Sequence, residues 1–374
     1  MKNLLVLALA SVAVAIKNRD VLQFNNFGFD GDYTPVLQLN NPDLDQCSCQ
    51  VGDPVKFSGA NSPLDGEVAV QFQGPLKLLS FYAYSSEDYK LNSGDSQWTT
   101  IGKWDGNTAE NITFLTPQGK DSKCLGKALV YAGSDGGASD KPETLLTNTE
   151  LTLDQQIIIY SNDTCGDLGV NGDCGVYRDG IPAYHGFSGK AKLFVFKWQR
   201  LGDADNLDKT AIRVLNAQIP RTLNNYRDKD NADCLCWRLG CGEFAVFEPM
   251  HKDYRRRFRP TLYDRQHTDD IDGGNTIDGY TNIGDGDVSG AILFAADGTV
   301  VVFSNGNLDQ LVTNDDMTSA KVNAAADDIK KKRVKDLNKK SGKGNKDRKG
   351  AAAGLTVPRV TLAVAVAAML ACVV

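Results

Sequence analysis

Residues 67–85, EVAVQFQGPLKLLSFYAYS, decide the fold class. Val68, Val70 and Phe72 alternate with polar residues, and Leu76 to Tyr84 forms a second apolar run. Successive side chains on a strand point to opposite faces, so both runs read as strands. The signal recurs at Ile157–Tyr160, Leu193–Trp198, Ala291–Ala295 and Val300–Phe303. Asp297-Gly298, between the last two, is a hairpin turn signal, because Gly accepts the positive φ of a tight turn. No long amphipathic helix interrupts residues 50–310, and no repeat of 20–50 residues is evident. Many short strands with turn-rich connections predict an all-β chain, a β-sandwich or jelly roll.

Composition agrees. The 374 residues are 41% hydrophobic and 24% charged, which places them with globular rather than disordered chains. There are 36 Gly and only 4 Met, as suits a turn-rich β protein. Collagen, long coiled coil and polytopic membrane protein are excluded. A net charge of −6 argues against general nucleic-acid binding. The nine cysteines are an odd number, so in an oxidising compartment one of them is free, intermolecular or absent from the mature chain.

Both ends read as processing signals. Residues 1–15, MKNLLVLALASVAVA, have one Lys, an apolar stretch and the small-x-small end Ala13-Val14-Ala15, which predicts a signal peptide cut before Ile16. Residues 360–374, VTLAVAVAAMLACVV, are apolar to the terminus and short for a helix that crosses a membrane. They suit the discarded tail of a GPI signal, with Gly350 as attachment site ahead of Ala351-Ala352. Ala351 or Ser341 are alternative sites, and a retained tail anchor is the alternative reading. Between domain and tail, residues 330–349 hold eleven Lys and Arg. A basic, partly helical stalk over 321–350 is expected, capped by Thr318 or Ser319, with a plain disordered linker as the alternative. Residues 16–326 then carry 28 Lys and Arg against 43 Asp and Glu, a net of −15. That surface suits a neutral ligand better than a polyanion.

Cys372 falls in the tail. Eight cysteines remain: Cys47, Cys49, Cys124, Cys165, Cys174, Cys234, Cys236 and Cys241, enough for four disulfides in any of 105 pairings. Zinc is the competing reading of Cys234-x-Cys236-x4-Cys241, but no His stands at ligand spacing. No metal and no cofactor is expected. In a secreted chain Asn111-Ile-Thr113 and Asn162-Asp-Thr164 are glycosylation sequons.

The segment CGEFAVFE (241–248) carries the chemistry. Glu243 and Glu248 are five residues apart, which on a regular strand puts them on opposite faces. One bulged residue between them returns both to one face, with Cα atoms roughly 13 Å apart. Side chains leaning inward then close much of the gap to the roughly 5–5.5 Å between carboxyl groups that a retaining glycosidase needs. By themselves, two Glu on a strand are more commonly solvated strand ends.

The surroundings add a resemblance. GDCGVYRDGIPAYHGFSG (172–189), VLNAQIPRT (214–222), CLCWRLGCGEFAVFE (234–248), CSCQVGDPVKFSG (47–59) and the opening stretch together resemble the fungal cell-wall TOS-one-like glycosyl hydrolases, a family of circularly permuted β-1,3-glucanases. The resemblance covers roughly 30–310. It implies a circularly permuted jelly roll akin to glycoside hydrolase family sixteen, with Glu243 as nucleophile and Glu248 as acid/base. It also implies one domain over 16–320, an N-terminal section of about 30–105 completing the sandwich of a motif-bearing section of about 106–310. The stalk over 321–350 and a propeptide over 351–374 follow. Two positions depart from the family pattern. Its middle Asp is Ala245 here, and its Trp before the aliphatic pair preceding Asn216 is Arg213. Catalysis is therefore weighed against a weakened or inactive glucan-binding or structural wall protein.

Other residues carry a functional and a bland reading each. Tyr184 and His185 lie in a matched motif and are candidates for the substrate cleft, as are Arg213 and Trp237. A lone His is more often structural, and Trp237, between cysteines, packs over a disulfide at least as readily. Arg255-Arg256-Arg257 and Arg259 read as an anion site, a protease site or a solvated loop. Asp270-Ile-Asp272-Gly273 hints at calcium, but the twelfth position of an EF-hand loop is Thr281, so none is predicted. The expected partners are cell-wall β-glucan and, through a GPI anchor, the membrane. A monomer without nucleic acid is expected.

Overall fold

The computed structural model describes residues 20–43, 47–123, 125–201, 209–222, 240–250, 256–263, 275–276, 279–304, 308–312, 316–326 and 332–337. Among them strands dominate, and they form two nine-stranded sheets with four two-stranded ribbons. The first sheet runs Lys332–Asp336, Val21–Asn25, Val300–Ser304, Asp287–Phe294, Ala191–Arg200, Leu76–Ser86, Thr99–Trp104 and Ala109–Glu110, with Glu150–Leu151 added alongside Leu76–Ser86. The second runs Ala138–Ser139, Val130–Ala132, Ile112–Thr116, Gln156–Ser161, Val68–Gln73, Ala211–Asn216, Glu243–Phe247, Thr261–Tyr263 and Asn275–Thr276. Pairing is antiparallel except between Val21–Asn25 and Lys332–Asp336.

The sheets pack face to face over one core, as the all-β sandwich reading requires. Val68, Val70 and Phe72 of the second sheet share it with Leu78, Phe81, Phe194 and Phe196 of the first. Edge-to-face rings cross the interface, Phe72 on Phe196 at 5.5 Å and Phe24 on Phe244 at 5.5 Å between centroids. The alternation of EVAVQFQ is less clean than the sequence suggests. Ala69 and Gln71, on the outer face, are buried as well: Leu115, Tyr160 and Tyr184 pack with Ala69, and Gln71 is hydrogen-bonded to Gln156 and Arg213. The Asp297-Gly298 hairpin forms as expected. Gly298 takes φ +80°, and its N–H donates to the Ala295 carbonyl at 3.1 Å.

The folded domain runs past the expected boundary at 320. Ser319–Ala326 is a helix capped by Thr318, whose Oγ1 accepts from the Lys321 N–H at 3.3 Å. Val322, Ala325 and Ala326 pack against Val21, Leu308, Leu311 and Met317 on the outer side of the first sheet. Lys332–Asp336 then pairs in parallel with Val21–Asn25 across five residues. An open strand edge offers a row of backbone donors and acceptors, and that edge, not the local sequence, makes a strand of Lys-rich chain. Ser319–Ala326 and Lys332–Asp336 thus contribute a helix and a strand within the span expected to be stalk.

Candidate active site

The expected bulge is in the Glu243–Phe247 strand. Ile212 pairs with Phe247 and Arg213 with Ala245, so Val246 is the extra residue. Its consequence is visible in the core, where Phe244, Val246 and Phe247 are all buried between the sheets. Two adjacent inward residues reset the alternation, and Glu248 turns to the outer face that Glu243 and Ala245 already occupy.

One guanidinium meets both carboxylates there. Arg213 Nη2 lies 2.9 Å from Glu248 Oε1, and its Nε lies 4.0 Å from Glu243 Oε1. The side chain is held from the other side by Gln73 Oε1 at 2.7 Å and Gln71 Oε1 at 3.2 Å from Nη1. Gln71 Nε2 in turn donates to Gln156 Oε1 at 2.8 Å. Tyr263 donates its hydroxyl to Glu248 Oε2 at 2.6 Å. The register explains the cluster. Gln71, Arg213, Ala245 and Thr261 form one cross-strand row on the outer face, and Leu215, Glu243 and Tyr263 form the next. Glu243 is fully buried, whereas the Glu248 side chain keeps 19% exposure. The pair is therefore a buried and a half-buried carboxylate flanking one cation, on the face that the bulge creates.

A second polar cluster lies at the end of that face where Val68–Gln73 begins. His185 Nδ1 is 2.6 Å from Glu67 Oε1, and its Nε2 is 3.2 Å from Asp173 Oδ2. The Gly186 N–H donates to Glu67 Oε2 at 3.0 Å, and Arg221 Nη2 is 3.5 Å from the same oxygen. The Glu67 hydrogen bond, helped by Asp173, raises the pKa of His185. Asp173 is held below the usual carboxylate range by the Gly166 N–H and His185. Both ring nitrogens of His185 are engaged within the protein. The tie holds the loop closed by the Cys165–Cys174 disulfide against the base of the sheet. Tyr184 is buried beside Leu115, Ile158 and Tyr160, with its hydroxyl 3.1 Å from that of Tyr131. Burial and Tyr131 push its pKa up to about 12. Of the expected substrate-binding residues that are described, Tyr184, His185 and Arg213, Arg213 is the one in contact with the glutamate pair.

Cys165, Cys174 and His185 converge within 4.8 Å. Both sulfurs are spent in the disulfide, so they offer no thiolate to a metal. Cys47, Cys49 and Cys241 are also disulfide-bonded, with partners outside the described residues. Cys241 is thereby removed from the zinc reading. Asn111 and Asn162 are exposed. Cys124, Cys234, Cys236, Trp237, Arg255, Asp270–Gly273, Gly350 and both terminal signals lie outside the described residues. No described helix is long and apolar enough to cross a membrane. Sequence reasoning missed Gln71, Gln73, Gln156 and Tyr263 at the pair, and Glu67, Asp173 and Arg221 at His185. The signal for Gln71 and Gln73 was present in the polar positions of VAVQFQ, but only the fold shows that they face Arg213.

Comparison with known proteins gives the family. Residues 20–86 match the family described as cell wall protein YJL171C/Tos1, N-terminal, and residues 96–324 match its C-terminal counterpart. The chain belongs to the YJL171C/Tos1 cell wall protein family. Relatives in it include a Candida albicans protein named probable circularly permuted 1,3-beta-glucanase PGA52, 42% identical over 314 residues, 80% of this chain and 81% of that one. The probable circularly permuted 1,3-beta-glucanase YJL171C of Saccharomyces cerevisiae is 38% identical over 75% of this chain and 74% of its own. A second protein of that yeast, probable circularly permuted 1,3-beta-glucanase TOS1, is 36% identical over 50% of this chain and 40% of its own. No solved structure matches. Both family matches cover the sandwich, and the C-terminal one includes Arg213, Glu243 and Glu248.

Proposed function

We propose that the chain is a glycosidase of the cell wall that cleaves or transfers β-1,3-glucan with retention, through Glu243 and Glu248. The observation that carries this reading is the Val246 bulge, which sets both carboxylates on one face within reach of a single guanidinium. The relatives' names supply the substrate class. In the first step a Glu243 oxygen attacks the anomeric carbon. The glycosidic C–O bond breaks, and a proton passes from Glu248 to the departing sugar oxygen. In the second step Glu248 takes a proton from water or from an acceptor hydroxyl. That oxygen displaces Glu243, and the starting protonation returns. Gln71, Gln73 and Gln156 line the same face with amides suited to sugar hydroxyls. Entry to the secretory route through residues 1–15 and a GPI anchor at Gly350 would put this face at the wall.

A second reading is a wall protein that binds glucan without turnover. It is favoured by the 2.9 Å contact of Arg213 with Glu248 and by the methyl group of Ala245 beside the pair. Incubation of the protein with laminari-oligosaccharides separates the two. New chain lengths are expected, reduced about a thousandfold or more in Glu243→Gln. Binding with unchanged chain lengths would establish the second reading.

A further inference from the structure

We infer that Arg213 is a positioning residue that keeps Glu248 a carboxylate and stands between the two glutamates, so that glycosidic cleavage waits on displacement of its guanidinium. The inference rests on the catalytic reading of the pair. In the first step Glu248 must hold a proton and give it away. In the free protein both of its oxygens accept instead, Oε1 from Arg213 and Oε2 from Tyr263. A guanidinium does not give up its proton in proteins, so it cannot take over as the acid. An adjacent cation and an O–H donor both favour the ionised carboxyl group.

The placement also obstructs. A retaining site needs the anomeric carbon and the glycosidic oxygen between its two carboxyl groups. Here Nη2 touches one glutamate and Nε faces the other, so the guanidinium fills part of that approach. Ala245, directly across the strand pair from Arg213, leaves room for this pose and adds no carboxylate to draw the cation away. Gln71 and Gln73 hold Nη1 from the side away from the glutamates, so Arg213 has a neutral polar berth when a sugar takes its place.

Among the described residues, groups on several strands surround Glu248. Arg213 reaches it from Ala211–Asn216 and Tyr263 from Thr261–Tyr263, and Glu243, at the start of the strand that leads to it, shares the Arg213 guanidinium with it. Arg259 donates its backbone N–H to the Glu248 carbonyl at 3.0 Å. Arg213 Nη2, at 2.9 Å, brings a positive charge into direct contact with the carboxylate.

The test is a carboxyl-carbon NMR titration of the unliganded protein with labelled glutamate, the Glu248 signal being assigned by its loss in Glu248→Gln. Arg213→Gln is expected to raise the proton affinity of Glu248 about tenfold or more. Arg213→Lys, which keeps the charge but loses the fork, is expected to raise it by less. It supplies the measurement if the glutamine variant fails to fold. An unchanged Glu248 titration in folded Arg213→Gln, or an unchanged or lowered affinity in Arg213→Lys, overturns the inference. Turnover of laminari-oligosaccharides is followed in parallel, and the alkaline limb of its pH profile is expected to move upward with the titration. If the titration moves and neither wild type nor variant turns over substrate, the hold on Glu248 stands and the catalytic reading fails.

Discussion

Two cations, the half-buried His185 and the buried Lys192, make the fold respond to pH with opposite signs. His185 is tied to Glu67 and Asp173, and its pKa is raised. Its contribution is complete below the ordinary imidazole pKa of about 6.5 and fades as the pH rises through the raised value. Lys192 is the reverse case. Its Nζ donates to the carbonyls of Asp65 at 2.9 Å, Gly66 at 3.1 Å and Gly189 at 3.2 Å, and burial pulls its pKa down to about 8. Its contribution is present above the ordinary lysine pKa of about 10.4 and is lost as the pH falls through about 8. Urea midpoints should therefore fall as the pH rises above about 6.5, by an amount worth about 1–2 kcal/mol, the size of a charge-assisted hydrogen bond. His185→Gln should abolish that fall, and an equal fall in the variant would assign it to other groups. Above pH 8 the Lys192 contribution should make the wild type more stable. Lys192→Met should lose that rise and cost about 1–3 kcal/mol at neutral pH, because three carbonyls lose their donor.

The bulge belongs to the strand and to what receives it. Placing both Val246 and Phe247 inward needs room in the opposite sheet, and Gly290 of Asp287–Phe294 provides it. A Cβ at Gly290 would lie 2.8 Å from Phe196 Cε2 and 2.9 Å from Phe247 Cε2. Gly290→Ala is expected to lower stability by about 1–3 kcal/mol through overpacking and to reduce turnover by shifting Phe247, which precedes Glu248. Adding Phe247→Leu should recover part of the stability, as calorimetry of the single and double variants would show. Full additivity of the two losses would mean that Gly290 does not serve the bulge. The strand itself was legible in sequence, and so was the need for a bulge, since two residues five positions apart cannot share a strand face otherwise. Its position was also written there, in the apolar doublet Val246-Phe247 that breaks the period of two. The role of Gly290 was not legible, because it depends on which strand of the other sheet lies opposite.

At the scale of the whole molecule, the two ends of the domain complete one sheet. Val21–Asn25 lies between Val300–Ser304 and Lys332–Asp336, so residues more than 300 positions apart share a ladder. The long apolar strands were legible from their own pattern. The last strand was not, since KRVKD reads as basic linker until an open edge is offered to it. Asn26 Nδ2 pins the strand by donating to Asp336 Oδ1 at 2.8 Å, and the Leu337 N–H donates to the Asn25 carbonyl at 3.0 Å. If this strand belongs to the domain, ending the chain after Ala326 should lower stability by about 1–5 kcal/mol, five cross-strand pairs at roughly 0.2–1 kcal/mol each. It should also expose the Val21–Asn25 edge and promote concentration-dependent association, measurable by sedimentation. Replacing Lys332–Asp336 with Gly and Ser at constant length should behave like the truncation, because both remove the ladder and only one shortens the chain. A Gly/Ser variant as stable and monodisperse as the full chain would show that the basic segment is a tether after all.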